Sequence, residues 1–235
     1  MSQYDQLHNL GYYIGNIKDV VDDFAEFQYY IDLLKTTNKD THYTVRQSVR
    51  DVPDGYEFPY QFEVTEYVER MQLMETLGVR ATQQWFQLEI APQVNGGTVD
   101  LRPYFRNLAV KLAVQAYPEL TPNNIYHNDA FTLFENGDFI NPHVDGQNPG
   151  RLFVFLLYLS DEQDWNEGGG ELIISAGDAN EKILPFKGKF TLLDFKTHNI
   201  NHSVELVKNN FRRFTYLNFV YNKDTMEKNN NEQKY

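Results

Sequence analysis

The spacing of apolar residues changes about half-way along the chain. From Lys18 to Lys35, Val20, Val21, Phe24, Phe27, Tyr30, Ile31 and Leu34 recur at helical intervals with polar residues between them. A second helical pattern covers residues 60–77. "RPYFRNLAVKLAVQAY" at 102–117 reads as a third helix, with Pro103 suited to its first turn. "GYYIGNI" (11–17) and "QQWFQLEIAP" (83–92) read as strands, while residues 38–60 are polar and carry the turn signal Asp-Val-Pro-Asp-Gly. "NGG" at 95–97 marks a further turn. After Pro122, short apolar runs alternate with Gly, Asn and Asp turns, at 126–134, 152–159, 171–175, 189–195 and 213–221. Strands at such regular spacing predict a sandwich or barrel. The expected fold is α+β: a single domain over residues 1–221, helix-rich through 121 and stranded mainly over 122–221. Its N-terminal helices are expected to pack on the outside of one sheet, with the aromatic stripe Phe24, Phe27 and Tyr30 in the core. Residues 222–235 lack apolar periodicity and are expected to form a flexible tail.

Composition narrows the classes. A chain of 235 residues with 41% apolar content can bury one sizeable core, and its 17 Phe and 16 Tyr suit sheets. A net charge of −12 offers little counterion-releasing surface, which disfavours nucleic acid and makes a basic protein the electrostatic complement. The absence of cysteine excludes disulfides and thiolate metal sites. "MSQYDQLHNL" lacks the features of a signal peptide and no apolar run reaches spanning length, so a cytoplasmic protein without membrane association is expected.

The chemistry concentrates in "FINPHVDGQNPGR" (139–151) and in two later stretches. In a strand, His143 and Asp145 point to the same face, so an imidazole and a carboxylate can converge on one ion. One neutral nitrogen and one hard oxygen suit Fe(II), with Mn, Co or Zn as competitors. His202 opens "HSVELV" after the polar loop 197–201, and a distant histidine brought in by another strand completes a 2-His-1-carboxylate set. His198 is its rival, but it lies inside the loop whereas His202 begins the alternating pattern. "FRRF" then supplies Arg212 and Arg213, and a guanidinium would anchor a dicarboxylate through bidentate, charge-assisted hydrogen bonds. Neighbouring strand residues face opposite ways, so one of the two arginines is excluded. Arg213 shares a face with Thr215, Leu217 and Phe219, and at this point Arg212 is as open a candidate.

Taken in order, these pieces resemble the prolyl-4-hydroxylase-type Fe(II)/2-oxoglutarate-dependent dioxygenases over residues 134–221. His143-Val144-Asp145 resembles the family's first metal-binding pair. Arg151 through Tyr158-Leu159 resembles its "R…YLN" strand, with Ser160 in place of the asparagine. Gly169-Gly170-Glu171-Leu172 matches "GGEL", Pro185 and Gly188 before "KFTLLDF" match the next strand, His202-Ser203-Val204 the second histidine, and Arg213-Phe214 the cofactor arginine. The resemblance implies a double-stranded β-helix, or jelly roll, with His143, Asp145 and His202 as metal ligands. It also implies Fe(II), the cosubstrate 2-oxoglutarate and O2, and hydroxylation of a C–H bond with release of succinate and CO2. The substrate class implied is a prolyl or other side chain in a protein or peptide. A carboxylate at 145 favours hydroxylation over halogenation.

Tyr158 lies where relatives carry a tyrosine that hydrogen-bonds the distal carboxylate of the cosubstrate, whereas Phe134 replaces a second tyrosine and removes a hydroxyl. Gly169 and Gly170 read as turn residues, Arg151 as a surface ion-pair partner, and "PQVNGGTVD" (92–100) as a loop overhanging the site. The rival functions are a non-catalytic jelly-roll binding protein and a nucleic-acid or small-molecule oxygenase on the same scaffold. Retention of the three ligands with an arginine argues against the first, and net charge argues against nucleic acid.

Overall fold

The structure, a computed structural model, describes residues 4–35, 43–50, 81–88, 93–94, 97–98, 101–145, 150–176 and 179–226. A short helix α1 (Asp5–Leu10) leads into strand β1 (Tyr12–Asn16). The helical pattern expected from Lys18 starts later, because Asp23 intervenes. Its Oδ1 accepts the amides of Ala25 (2.8 Å) and Glu26 (3.3 Å), capping α2 (Phe24–Lys35) and leaving only a 3-10 turn at Ile17–Asp19. The polar stretch after it contains β2 (Tyr43–Arg50), which pairs along its length with β3 (Ala81–Leu88). The helical pattern at 60–77 lies outside the described residues. Two short strands, β4 (Gln93–Val94) and β5 (Gly97–Thr98), pair across the expected turn. Helix α3 (Arg102–Ala116) follows, with proline in its first turn and Phe105, Leu108, Ala109, Leu112, Ala113 and Ala116 on its buried face.

From here the strands largely alternate between two antiparallel sheets. β6 (Ile125–Phe134), β8 (Arg151–Tyr158), β11 (Lys189–Asp194) and β13 (Arg213–Asn222) join the larger sheet, ordered β1-β11-β8-β13-β6-β3-β2. β7 (Ile140–Val144), β9 (Leu172–Ala176), β10 (Ala179–Ile183) and β12 (Asn201–Val204) form the smaller one, ordered β10-β9-β12-β7. The arrangement is that of a jelly-roll core. Strand β13 extends one residue into the expected tail and residues 223–226 are helical; the rest of the tail lies outside the described residues. No helix among the described residues is long and apolar enough to cross a membrane.

β8 shows why the larger sheet needs cover on both faces. Phe153, Phe155 and Leu157 join one buried cluster with the apolar faces of α2 and α3, while Val154, Leu156 and Tyr158 point the other way into a second cluster. Phe105 sits at the centre of the first, its ring 5.1 Å from Phe131, 5.2 Å from Tyr216 and 6.4 Å from Phe27. On β6, Asp129 accepts hydrogen bonds from Arg106 Nε (2.9 Å) and the Tyr216 hydroxyl (2.9 Å), so a carboxylate buried under α3 has partners for both oxygens. Phe105→Ala is expected to cost about 3–5 kcal/mol in urea unfolding. The exposed Tyr29→Ala on α2 is expected to stay within about 0.5 kcal/mol.

Candidate active site

In the smaller sheet, β7 and β12 pair in a register that sets His143 directly opposite His202. The cross-strand pairing brings the two rings to a centroid distance of 4.3 Å. Asp145, two residues past His143, turns to the same side, its Oδ1 3.6 Å from His143 Nε2. One ligand atom from each of the three residues lies within 4.8 Å of the others. His202 Nδ1–H donates to the carbonyl of Ile200 (3.1 Å), which fixes the tautomer and leaves Nε2 as the coordinating atom. Burial alone would push the Asp145 carboxyl up. The hydrogen bond from His143 and the positive potential of His202, His143 and Arg151 outweigh it and hold the group below the usual carboxylate range, ionised as a metal ligand must be. His198 is directed elsewhere, its Nδ1 lying 3.1 Å from Asp194 Oδ2 and 2.7 Å from Thr197 Oγ1.

The opposite wall belongs to the larger sheet and carries the arginine. Arg213 is buried, whereas Arg212 is exposed and pairs with Glu135 (3.3 Å). Alternation along β13 separates them. The Arg213 Nε donates to the carbonyl of Gly170 (2.7 Å), and its guanidinium lies 5.4 Å from the Phe134 ring and 5.6 Å from that of Tyr158. Burial pulls its pKa down to about 10. Among the described residues no carboxylate forms an ion pair with it. Gly170 fits this role through its backbone: at φ +74, an added Cβ would stand 3.0 Å from Arg213 Cδ. The end of β13 is pinned by Ser160, whose hydroxyl donates to the Arg212 carbonyl (2.9 Å) and accepts from the Phe214 amide (2.8 Å). Neither Gly170 nor Ser160 stands out as a site residue in the sequence, because both act on or through backbone atoms.

Between the two walls lies a cavity of about 90 Å³, lined on its apolar part by Ile140, Val154, Leu156, Leu172, Leu217 and Phe219, and reached by His143, Asp145, His202 and Arg213. Two imidazoles and an ionised carboxylate on one side, with a buried cation without a carboxylate facing them, fit a divalent metal that chelates an anionic ligand.

Residues 129–221 match the 2OG-Fe(II) oxygenase superfamily. That oxygenase family uses Fe(II), 2-oxoglutarate and O2, and the matched segment contains all three candidate ligands and Arg213. Solved structures of similar fold include a prolyl hydroxylase from Trichoplax adhaerens in complex with a hypoxia inducible factor oxygen degradation domain peptide fragment. It has a TM-score of 0.62 and 16% identity, over 95% of this chain and 89% of that one. A 2OG-Fe(II) oxygenase family oxidoreductase from Burkholderia pseudomallei aligns with a TM-score of 0.56 and 13% identity, over 94% of this chain and 92% of that one. A Pseudomonas putida prolyl-4-hydroxylase aligns with a TM-score of 0.52 and 15% identity, over 92% and 96%. At these identities the likeness is one of fold. No curated protein matches the chain.

The remaining expected residues are placed as follows. Tyr158 is buried with its ring against Arg213, and its hydroxyl lies 3.0 Å from Thr191 Oγ1. Phe134 stands opposite Arg213 in the β13–β6 register. Arg151 lies over the rings of Phe219 (4.8 Å), Tyr221 (5.6 Å) and Phe195 (5.7 Å). Of the stretch expected to overhang the site, the described parts are the paired β4 and β5.

Two measurements test this geometry. His143→Ala and His202→Ala should each weaken Mn(II) binding at least about 100-fold in equilibrium dialysis, while His198→Ala should leave it unchanged. Arg213→Met, which removes an isolated buried charge, should raise the melting temperature of the ligand-free protein by about 2–4 °C.

Proposed function

We propose that this chain is an Fe(II)- and 2-oxoglutarate-dependent hydroxylase acting on a C–H bond of a side chain in a protein or peptide, a prolyl residue foremost. The observation that carries the reading is the pairing of two half-sites across one cavity: His143, Asp145 and His202 on the smaller sheet, and buried Arg213 on the larger. When bound, iron and 2-oxoglutarate supply the oxidising chemistry: decarboxylation to succinate and CO2 places one atom of O2 in succinate and the other in the product hydroxyl. This chain's own residues do the positioning. His143, His202 and Asp145 would hold the metal. Arg213 would orient the cosubstrate by its far carboxylate, and the apolar walls would keep water from the reacting centre.

A peptide substrate is supported by two features. Val144, between the ligands His143 and Asp145, is 41% exposed and gives the mouth of the site an apolar contact point. The Trichoplax prolyl hydroxylase of similar fold was solved with a peptide. The net charge of −12 favours a basic partner, and a cytoplasmic setting fits the chain. In this reading residues 1–221 act as one catalytic unit, with α2 and α3 backing the larger sheet from outside.

Anaerobic addition of Fe(II) and 2-oxoglutarate to the ligand-free protein is expected to produce the weak visible charge-transfer band of a chelated 2-oxo acid. Admission of O2 should then release succinate, and incubation with a peptide library should add the mass of one oxygen to prolyl peptides. A protein that gives neither band nor succinate is not an oxygenase. One that gives both, but oxidises a nucleotide or small molecule in place of peptides, keeps the chemistry and loses the substrate.

A further inference from the structure

Asp194 ends β11 with a carboxylate whose side chain is 1% exposed. Burying such a group is costly unless its oxygens find donors, and here donors come from the residues that follow it. Oδ1 accepts the amides of Lys196 (2.7 Å) and Thr197 (3.3 Å). Oδ2 accepts the Thr197 hydroxyl and lies 3.1 Å from His198 Nδ1. One side chain thus folds the start of the segment 195–200, which belongs to neither β11 nor β12. Gly11 braces it. Its carbonyl accepts the Asp194 amide (2.7 Å), and it lies so close to the segment that an added Cβ would stand 2.4 Å from Ile200 Cδ1.

The far end of the segment delivers one group to the candidate metal site. The carbonyl of Ile200, one residue before β12, accepts His202 Nδ1–H (3.1 Å) and so leaves Nε2 to coordinate. The backbone of His202 is held by other means, in register with His143 on one side and Ile174 on the other. Its ring is not. The orientation and tautomer of that ring depend on where the Ile200 carbonyl stands, and hence on the shape of a segment outside the sheets.

We infer that Asp194 is a positioning residue for His202: by folding residues 195–200 it places the carbonyl that orients the second imidazole of the metal site. The inference rests on the metal site of the proposed function, and not on its reaction or substrate. A buried leucine would fill the same space with no polar group to desolvate, so the carboxylate is explained by the segment it shapes.

The test is Mn(II) binding by equilibrium dialysis. Asp194→Ala is expected to weaken it about tenfold, the lower end of the loss seen when a group that orients a metal-binding histidine is removed. Asp194→Leu, which fills the buried space, carries the same expectation and takes the place of the alanine variant if that one does not fold. Asp194→Asn keeps an acceptor for the two amides and should stay within about threefold of the wild type. Because the effect acts through His202, it should disappear without that ring. In a His202→Ala background, Asp194→Ala should change Mn(II) affinity by less than about twofold, whereas in a His143→Ala background it should again weaken it about tenfold. An equal loss in both backgrounds marks a general loosening of the fold and overturns the inference. So does wild-type affinity in the alanine and leucine variants, or an asparagine variant no better than alanine. A wild-type protein that binds no Mn(II) sinks the metal site, and the proposed function with it.

Discussion

Burial of the Arg213 guanidinium is the constraint around which this structure is arranged. A cation taken out of water and given no carboxylate is costly, and its pKa, pulled down to about 10, records the strain of desolvation. What the protein gives in return is modest: one carbonyl hydrogen bond from Gly170 and the faces of two aromatic rings. Those contacts fix the direction of the side chain without neutralising it. A positive charge buried beside an apolar cavity, with no carboxylate paired to it among the described residues, is a poor way to stabilise a fold. It is a good way to hold one end of an anion whose other end is bound elsewhere.

That other end is set by connections, not by the sheets themselves. The ligands and the arginine stand on different sheets, so their separation depends on the segment between β12 and β13. This segment is tied down on two sides. The Glu205 amide donates to the Glu171 carbonyl (2.9 Å) and the Lys208 amide to that of Gly168 (2.7 Å), which fastens it to the glycine turn before β9. The Val207 amide donates to the Asp138 carbonyl (2.9 Å) and its own carbonyl accepts from Gly137 (2.8 Å), which fastens it to the turn between β6 and β7. Gly169 has to be glycine, since at φ +68 a Cβ would sit 1.8 Å from the Leu206 carbonyl oxygen. The same turn presents the Gly170 carbonyl that orients Arg213. One short stretch of backbone thus sets the separation of Arg213 from the three candidate ligands.

The sequence revealed the parts whose chemistry demands particular side chains. The convergence of His143, Asp145 and His202 was legible because the strand period assigns the face and the ordered motifs resemble a metal-binding set. Alternation said only that Arg212 and Arg213 face opposite ways; the resemblance, through Arg213-Phe214, pointed to Arg213, and Arg213 is the buried one. Helix α3 was legible to within a residue, since its apolar stripe and Pro103 agree. The β2 strand was not, because backbone pairing is indifferent to the polar composition that reads as loop. The polar β10 was missed for the same reason, and in the described strand order both lie at sheet edges. The late start of α2 turned on a single capping oxygen at Asp23. Ser160 and Gly170 were not legible as site residues for a different reason: one clamps backbone through its hydroxyl and the other offers a backbone carbonyl, and neither has a sequence pattern.

The division of labour between the two faces of the larger sheet explains how such a site is tolerated. The outward face is filled by close-packed aromatic rings, Phe105 against Phe131 and Tyr216 and Phe155 against Phe190, together with the apolar sides of α2 and α3. The inward face keeps a cavity, an isolated cation and an unpaired threonine hydroxyl, each of which lowers stability. If the same strands had to stabilise the fold from both sides, those defects would have to be filled. Because every second residue of β8 and β13 works on the outer core, the residues between them are free to be chosen for a ligand. The period of a β-strand is what allows one sheet to be both a stable wall and a strained one.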